Sequence, residues 1–68
     1  MISMGAKVQI TRLRGWWTED DRDILLSLTF EVLGVEDWPV STYYLLDLGL
    51  VFPAYPRLWF RESDLYVL

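Results

Sequence analysis

The sequence contains no cysteine and no histidine. Without cysteine the chain forms neither a disulfide nor a thiolate metal site, and without histidine it lacks the commonest metal ligand and the usual acid–base group near neutral pH. Many hydrolases build their nucleophile–base pair from one of these two residues. The adjacent carboxylates Asp20 and Asp21 stand in a polar stretch that suits solvent exposure better than proton transfer. We therefore predict a protein that is not an enzyme and that binds no metal or cofactor.

Long apolar runs and an excess of positive charge are also missing. No stretch approaches the roughly 20 apolar residues of a membrane-spanning helix, and the first residues lack the charged-then-apolar pattern of a secretory signal. These observations predict a cytoplasmic protein without a membrane segment. The chain carries ten acidic and six basic residues, which gives a formal net charge of −4. Nucleic-acid-binding domains usually present a basic face, so this balance argues against nucleic acid as the partner.

Hydrophobic and aromatic residues, in contrast, are abundant. Hydrophobic residues make up 53% of the 68-residue chain and aromatic residues 16%. This length predicts one domain, residues 1–68, with a frayed opening at residues 1–5. A domain of this size buries only about 60% of the surface that its unfolded chain exposes. We therefore expect several of the tryptophan and tyrosine rings at the surface, where exposed aromatic patches often mark contact sites.

Residues 18–35 support two interpretations. Thr18 followed by three acidic residues resembles a helix start, and Gly34 would suit a helix end. Alternating apolar residues from Leu26 to Val32, with β-branched and aromatic members, instead favour a strand. We interpret the segment as an acidic loop, with room for one helical turn, that leads into a strand over about residues 25–35.

The remaining segments alternate between short strands and turns. Alternation predicts strands at residues 7–11, 42–48, 58–61 and 65–68, a turn around Pro39, a proline-containing loop at 49–57 and a one-turn corner at 62–64. Five short strands with turn signals between them predict an all-β fold, either a small barrel or a curled meander, in which the last strand packs against the first. The predicted core consists of Val8, Ile10, Leu26, Leu28, Phe30, Val32, Tyr44, Leu46, Phe60, Leu65 and Val67.

Several short motifs resemble a known family. Gly5-Ala6-Lys7-Val8-Gln9-Ile10, followed by an arginine and a tryptophan pair, resembles the opening of the small barrel subunit of photosystem I. Phe30-Glu31-Val32, Tyr43-Tyr44-Leu45-Leu46-Asp47 and Ser63-Asp64-Leu65-Tyr66-Val67 resemble short barrel proteins of bacteria and phages. The chain is thus similar to the SH3-like small β-barrels. This resemblance implies the fold, with a tight turn at Ser63-Asp64-Leu65 before the last strand, and it transfers no function.

The chain departs from the peptide-binding version of this fold at two points. The aromatic strand opening of the Ala-Leu-Tyr-Asp-Tyr type is missing. The tryptophan pair of that version follows an acidic loop, whereas Trp16 and Trp17 precede one here. Binding of proline-rich peptides is therefore not implied.

The candidate partner-binding residues fall into an aromatic set and an acidic set. Large rings that the pattern does not place in the core offer anchors for a partner, and an acidic cluster would attract a basic partner surface. The candidates are Trp16, Trp17, Trp38, Tyr55, Trp59, Glu19, Asp20, Asp21 and Asp23, and Tyr43 and Tyr66 are two further rings that the pattern does not place in the core. They predict a protein–protein interaction module, either a small accessory subunit or a phage or mobile-element inhibitor of a host protein.

Three other interpretations remain open at the level of sequence. The acidic residues suit a solvated loop, and some of the rings suit caps over the ends of a barrel. Arg12, Arg14, Arg57 and Arg61 would allow a nucleic-acid-binding barrel in which bases stack on the aromatic rings. Exposed tryptophans would also allow self-assembly into a homodimer.

Overall fold

The computed structural model describes residues 2–15 and 17–68. In chain order the elements are β1 (Lys7–Ile10), α1 (Glu19–Ser27), β2 (Thr29–Trp38), β3 (Ser41–Asp47), β4 (Arg57–Arg61), a single 3₁₀ turn (Glu62–Asp64) and β5 (Leu65–Val67). The five strands are antiparallel and form one sheet in the order β4-β3-β2-β1-β5. The prediction of a mostly β fold with five strands is confirmed.

The first and last strands lie side by side. Val8 pairs with Phe30 of β2 on one side and with Val67 of β5 on the other. The backbone N–H of Leu68 extends this ladder by donating to the carbonyl of Lys7 at 3.1 Å. The 3₁₀ turn delivers the chain to this position, and the carbonyl of Asp64 accepts from the N–H of Thr11. The predicted packing of the chain's end against its beginning is therefore confirmed.

Helix α1 corrects the interpretation of the acidic segment. The side chain of Thr18 accepts a hydrogen bond from the backbone N–H of Asp21 at 3.2 Å, and three acidic residues occupy the first helical turn. A cap and acids at a helix N-terminus both favour helix, and here they outweigh the strand-like alternation that follows. Residues 25–27, predicted as strand, belong to this nine-residue helix, which buries Leu25.

Strand β2 is long and bends in its middle. Its first part pairs with β1 and its second part with β3, and the register shifts between Val32 and Gly34. Such a bulge increases the local twist, which allows one strand to serve two parts of the sheet. The hairpin to β3 is tighter than predicted, because pairing continues to Trp38 and Ser41 and leaves only Pro39 and Val40 in the turn.

The core differs from the predicted one at its margins. Six predicted members are buried, whereas Leu26, Phe60 and Leu65 are half-buried, and Leu28 and Val67 are exposed. The prediction is wrong for Leu28 because this residue follows the end of the helix, whereas the alternation had assigned it an inward position on a strand. The buried hydrophobic residues are Ile2, Val8, Ile10, Leu13, Leu25, Phe30, Val32, Tyr44, Leu46 and Leu48.

Two of the opening residues make contacts with the sheet. Ile2 is buried, and its backbone N–H donates to the hydroxyl of Tyr44 at 2.9 Å. The N–H of Gly5, where φ is 83°, donates to the carbonyl of Val32 at 2.8 Å. Ser3 and Met4 between these two anchors are exposed, and Met1 lies outside the described residues, so fraying of residues 1–5 stays a prediction. An apolar side chain and two backbone donors find partners there.

The sheet is open within the described residues, because β4 and β5 form its two edges and do not pair with each other. A closed ring of strands was expected and is not observed. Across residues 2–15 and 17–68, no helix has the length and apolar character needed to cross a membrane.

Candidate interaction surface

The outer face of β2, β3 and β4 carries the largest exposed rings. Tyr44 and Leu46 of β3 point into the core, so the alternating positions Tyr43 and Leu45 point outward. The register places Leu45 beside Trp59 of β4, and Tyr43 between Glu36 of β2 and Arg61 of β4. Strand alternation therefore assembles aromatic side chains from three strands on one surface.

Gly34 provides the seat for Trp59. A Cβ atom at Gly34 would lie 3.6 Å from Cβ of Leu45 and 3.7 Å from Cη2 of Trp59. The indole of Trp59 thus reaches from β4, past Leu45 of β3, to β2. Despite these contacts the residue remains 47% exposed, so one part of the ring is supported and another is available to a partner.

An open apolar hollow lies beside this indole. Its volume is about 430 Å³. The turn between β2 and β3 contributes Val40, which is 88% exposed, and β2 contributes Trp38, which is 55% exposed. We call this feature the apolar hollow; its lining residues are Glu36, Trp38, Val40, Tyr43 and Trp59.

A second hollow, of about 350 Å³, adjoins the first. Tyr43 and Trp59 line both, so these two side chains form the ridge between them. The second hollow is lined by three guanidinium groups and one carboxylate in addition to aromatic and apolar residues. We call it the arginine hollow; its lining residues are Arg12, Arg14, Trp17, Tyr43, Leu58, Trp59, Phe60, Arg61 and Asp64.

The three arginines of this hollow differ in their hydrogen-bond and ion-pair partners. Arg14 donates from Nε and Nη2 to the two carboxylate oxygens of the buried Asp64, at 3.0 and 3.3 Å. The hydrogen bond and the charge of Asp64 raise the pKa of Arg14 above its ordinary value. Arg61 donates from Nε to the hydroxyl of Tyr43 at 3.2 Å, with its guanidinium carbon 6.0 Å from the ring centroid. Arg12 has no ion-pair partner among residues 2–15 and 17–68.

The structure brings together three of the predicted aromatic residues. Trp38 lines the apolar hollow, Trp17 the arginine hollow, and Trp59 both. Trp17 also packs edge-on against Phe52, with ring centroids 5.6 Å apart. Tyr55 lies in the loop between β3 and β4 and lines neither hollow. Trp16 lies outside the described residues.

The predicted acidic set does not line either hollow. Glu19, Asp20, Asp21 and Asp23 all belong to α1, where the first three favour the helix N-terminus, and none of them lines either hollow. Their position gives them a structural role as well as any functional one.

Sequence reasoning did not select Gly34 or Val40 as partner-binding residues. It did leave Tyr43 among the rings outside the core, in agreement with alternation, because a strand that buries Tyr44 turns its neighbour outward. The role of Gly34 depends on which residue of β4 lies across β3 from it, and that register is not written in the local sequence.

Comparison of the chain with known protein families, curated proteins and solved structures found no match. Among residues 2–15 and 17–68 there is also no group of three or more acidic side chains arranged to hold a metal ion. Chemically, the outer face offers apolar contact, aromatic stacking and guanidinium hydrogen bonds.

Proposed function

We propose that the chain is a non-enzymatic protein-interaction module that binds a protein partner through the outer face of β2, β3 and β4. The observation that carries the proposal is the exposure of Trp38, Val40 and Trp59 around one hollow. Tryptophan, tyrosine and arginine dominate the energetics of protein interfaces, and all three types meet here. Trp59 is the expected anchor, because Gly34 and Leu45 hold its indole in place.

The acidic side of α1 provides a second region for the same partner. Glu19, Asp20 and Asp23 are exposed, and they would attract a basic patch and speed the encounter. Two biological settings fit such a module: a small cytoplasmic accessory subunit, and a phage or mobile-element inhibitor of a host protein.

Affinity capture tests the proposal. The tagged chain, incubated with a lysate of the organism that encodes it, should retain one protein in a stoichiometric amount. Trp59→Ala should lose most of it, because truncating an interface tryptophan typically costs at least about 2 kcal/mol, which is roughly thirtyfold in affinity.

Tyr66→Ala is the matched control. Tyr66 is 60% exposed on β5 and lines neither hollow, so this variant should retain the partner as the wild type does. Equal retention by wild type and Trp59→Ala, or no stoichiometric protein with either, would contradict the proposal. Circular dichroism of each variant separates lost binding from lost folding.

A nucleic-acid-binding module is the second candidate. The arginine hollow favours it, because guanidinium groups beside Trp17, Tyr43 and Trp59 are the elements that hold stacked bases and phosphates. Fluorescence anisotropy with single- and double-stranded oligonucleotides at low salt tests this candidate. Micromolar binding that weakens as salt is added would support it, and flat titrations would remove it.

We also propose that the fold is an SH3-like small barrel that is not fully closed at β4 and β5. The 3₁₀ turn at Glu62–Asp64 directly before β5 supports this assignment, because the resemblance implies a tight turn there. An experimental structure in which β5 leaves β1 and pairs elsewhere would overturn it.

A further inference from the structure

We propose that the partner segment is acidic: a carboxylate of an extended peptide binds in the arginine hollow while a neighbouring apolar side chain fills the apolar hollow. This inference rests on the proposed function and names the chemistry of its partner. It differs from attraction at α1, because it concerns the surface where the aromatic anchors lie.

Spare hydrogen-bond donors make the arginine hollow a carboxylate site. A guanidinium group carries five N–H donors in a planar fork that fits a carboxylate with two parallel hydrogen bonds. Arg61 uses Nε for Tyr43, and Arg12 has no ion-pair partner within the described part of the chain. The contact with Tyr43 holds the guanidinium of Arg61 in place, which lowers the entropy lost on binding.

The local charge has the opposite sign to that of the whole chain. Asp64 neutralises the charge of Arg14. The charges of Arg12 and Arg61 remain, so the lining of the hollow carries an excess of positive charge. The exposed acids of α1 do not line it. A segment with one or two carboxylates therefore complements this hollow, whereas a basic segment would be repelled from it.

The shared ridge links the two hollows into one binding path. Tyr43 and Trp59 line both, so an occupant of one lies next to an occupant of the other. In an extended peptide, side chains two positions apart point the same way and stand about 7 Å from each other. An acidic residue and an apolar residue at this spacing would straddle the ridge.

Charge also distinguishes an acidic peptide from a nucleic acid. A nucleic-acid strand carries a negative charge at every nucleotide, so a strand crossing the ridge would bring a phosphate to the apolar hollow, where Glu36 lies. A peptide with an uncharged apolar residue at that point avoids the repulsion. The pair of hollows therefore fits a mixed acidic and apolar peptide better than a polyanion.

A peptide array provides the test. The folded chain is applied to an array of short synthetic peptides of randomised sequence, and bound peptides should be enriched in Asp or Glu two positions from a large apolar residue. The best binder is then measured by fluorescence anisotropy beside its Glu→Gln or Asp→Asn analogue. The analogue should bind roughly tenfold more weakly, as expected for loss of a charge-assisted contact worth about 1.4 kcal/mol.

Matched variants assign the effect to the hollow. Arg12→Gln/Arg61→Gln should remove the preference for the acidic peptide and leave its amide analogue bound as before. Arg57→Gln, which removes a positive charge from β4 outside both hollows, should keep the preference. Loss of the preference in Arg57→Gln would show long-range attraction and overturn the inference.

The remaining outcomes separate this inference from the proposed function. If peptides bind through Trp59 without any acidic preference, the inference fails and the interaction module stands. If no peptide binds above background, the inference fails, and the affinity capture with Trp59→Ala decides the interaction module on its own. One further outcome would overturn the inference in favour of nucleic acid as the ligand. In it, a single-stranded oligonucleotide binds more tightly than the acidic peptide and loses its binding in the double arginine variant.

Discussion

Tyr44 connects three parts of the chain through one hydroxyl group. Its ring is fully buried in β3, its oxygen accepts from the N–H of Ile2 at 2.9 Å, and it donates to Oε1 of Glu62 at 2.5 Å. The opening residues and the 3₁₀ turn before β5 are thereby fixed to the centre of the sheet. A single polar atom in the core thus has a structural role that its aromatic character does not indicate.

Tyr44→Phe should destabilise the protein by about 1–3 kcal/mol, because the buried N–H of Ile2 loses its acceptor while the ring packing is retained. This is a large part of the about 3–10 kcal/mol expected for a chain of this size. Urea unfolding followed by tryptophan fluorescence measures the difference. Equal midpoints for wild type and Tyr44→Phe would show that the hydroxyl adds nothing.

The same residue predicts a loss of stability at alkaline pH. Burial, and next the hydrogen bond to Glu62, raise the pKa of Tyr44 above its ordinary value of 10.0. The folded protein therefore keeps this proton to a higher pH than the unfolded chain does. The resulting stabilisation is complete below the unfolded-state pKa and is lost as the pH rises from there through the folded-state pKa.

Free energies of unfolding measured at a series of alkaline pH values test this prediction. The wild type should lose stability more steeply above about pH 10 than Tyr44→Phe, which cannot ionise at this position. Tyr66→Phe, altered at an exposed ring, serves as the control and should follow the wild type. Parallel curves for wild type and Tyr44→Phe would contradict the assignment.

Among the elements, α1 depends most on its first residues. It is only nine residues long, it has no basic residue in its last turn, and it buries a single residue, Leu25. Short helices are marginal by themselves, so the cap at Thr18 and the adjacent acids carry much of its local stability. The link from Arg22 to the carbonyl of Leu13 at 3.4 Å adds one tether to the preceding segment.

Thr18→Ala should cost about 1 kcal/mol, because the N–H of Asp21 loses its side-chain acceptor. Thr18→Ser keeps a hydroxyl at the same position and should recover most of the loss. Thermal unfolding followed at a helix-sensitive wavelength gives the comparison. Equal losses in the two variants would assign the effect to the threonine methyl group instead of to the cap.

The sequence predicted strands well where alternation and turn residues agreed. The hairpin at Pro39 and the corner at Glu62–Asp64 follow from such local patterns, whereas the pairing of β1 with β5 was expected from the small size of the fold as a whole. Residues 18–35 contained signals for both helix and strand, and the cap prevailed over the alternation in the first half of the segment only. A local pattern does not rank two competing signals.

The candidate surface was predictable only in part. The rings Trp17, Trp38 and Trp59 were selected because the core had no room for them, and the structure gathers them around two hollows. The arginines beside them come from the β1–α1 connection and from β4, so their meeting depends on tertiary structure. Net charge sums α1 with the rest of the chain, so it does not describe the arginine hollow, which is lined by three arginines and one carboxylate.

For the whole molecule, stability depends on the pairing of the last strand, β5, with the first strand, β1. Val8 and Ile10 of β1 are covered, and β1 has ladder partners on both sides. Removal of residues 65–68 would expose one edge of β1 together with part of the core. A small domain has little stability in reserve for such a loss.

A chain truncated after Asp64 should therefore fail to fold cooperatively, which circular dichroism and a urea titration would reveal. The control is full-length Tyr66→Ser, altered within β5 at a side chain that is 60% exposed, and it should unfold cooperatively like the wild type. A truncated chain with a sharp unfolding transition would show that β5 is dispensable.

The neighbouring position of β1 and β5 also constrains how quickly the native state is reached. Residues 8 and 67 meet in the sheet although almost the whole chain separates them. Closing so long a loop carries an entropic cost before any contact rewards it, and such topologies fold slowly for their size. A ribosome-bound nascent chain lacks its fifth strand until synthesis reaches it, so β1 keeps one edge open to other strands throughout that interval.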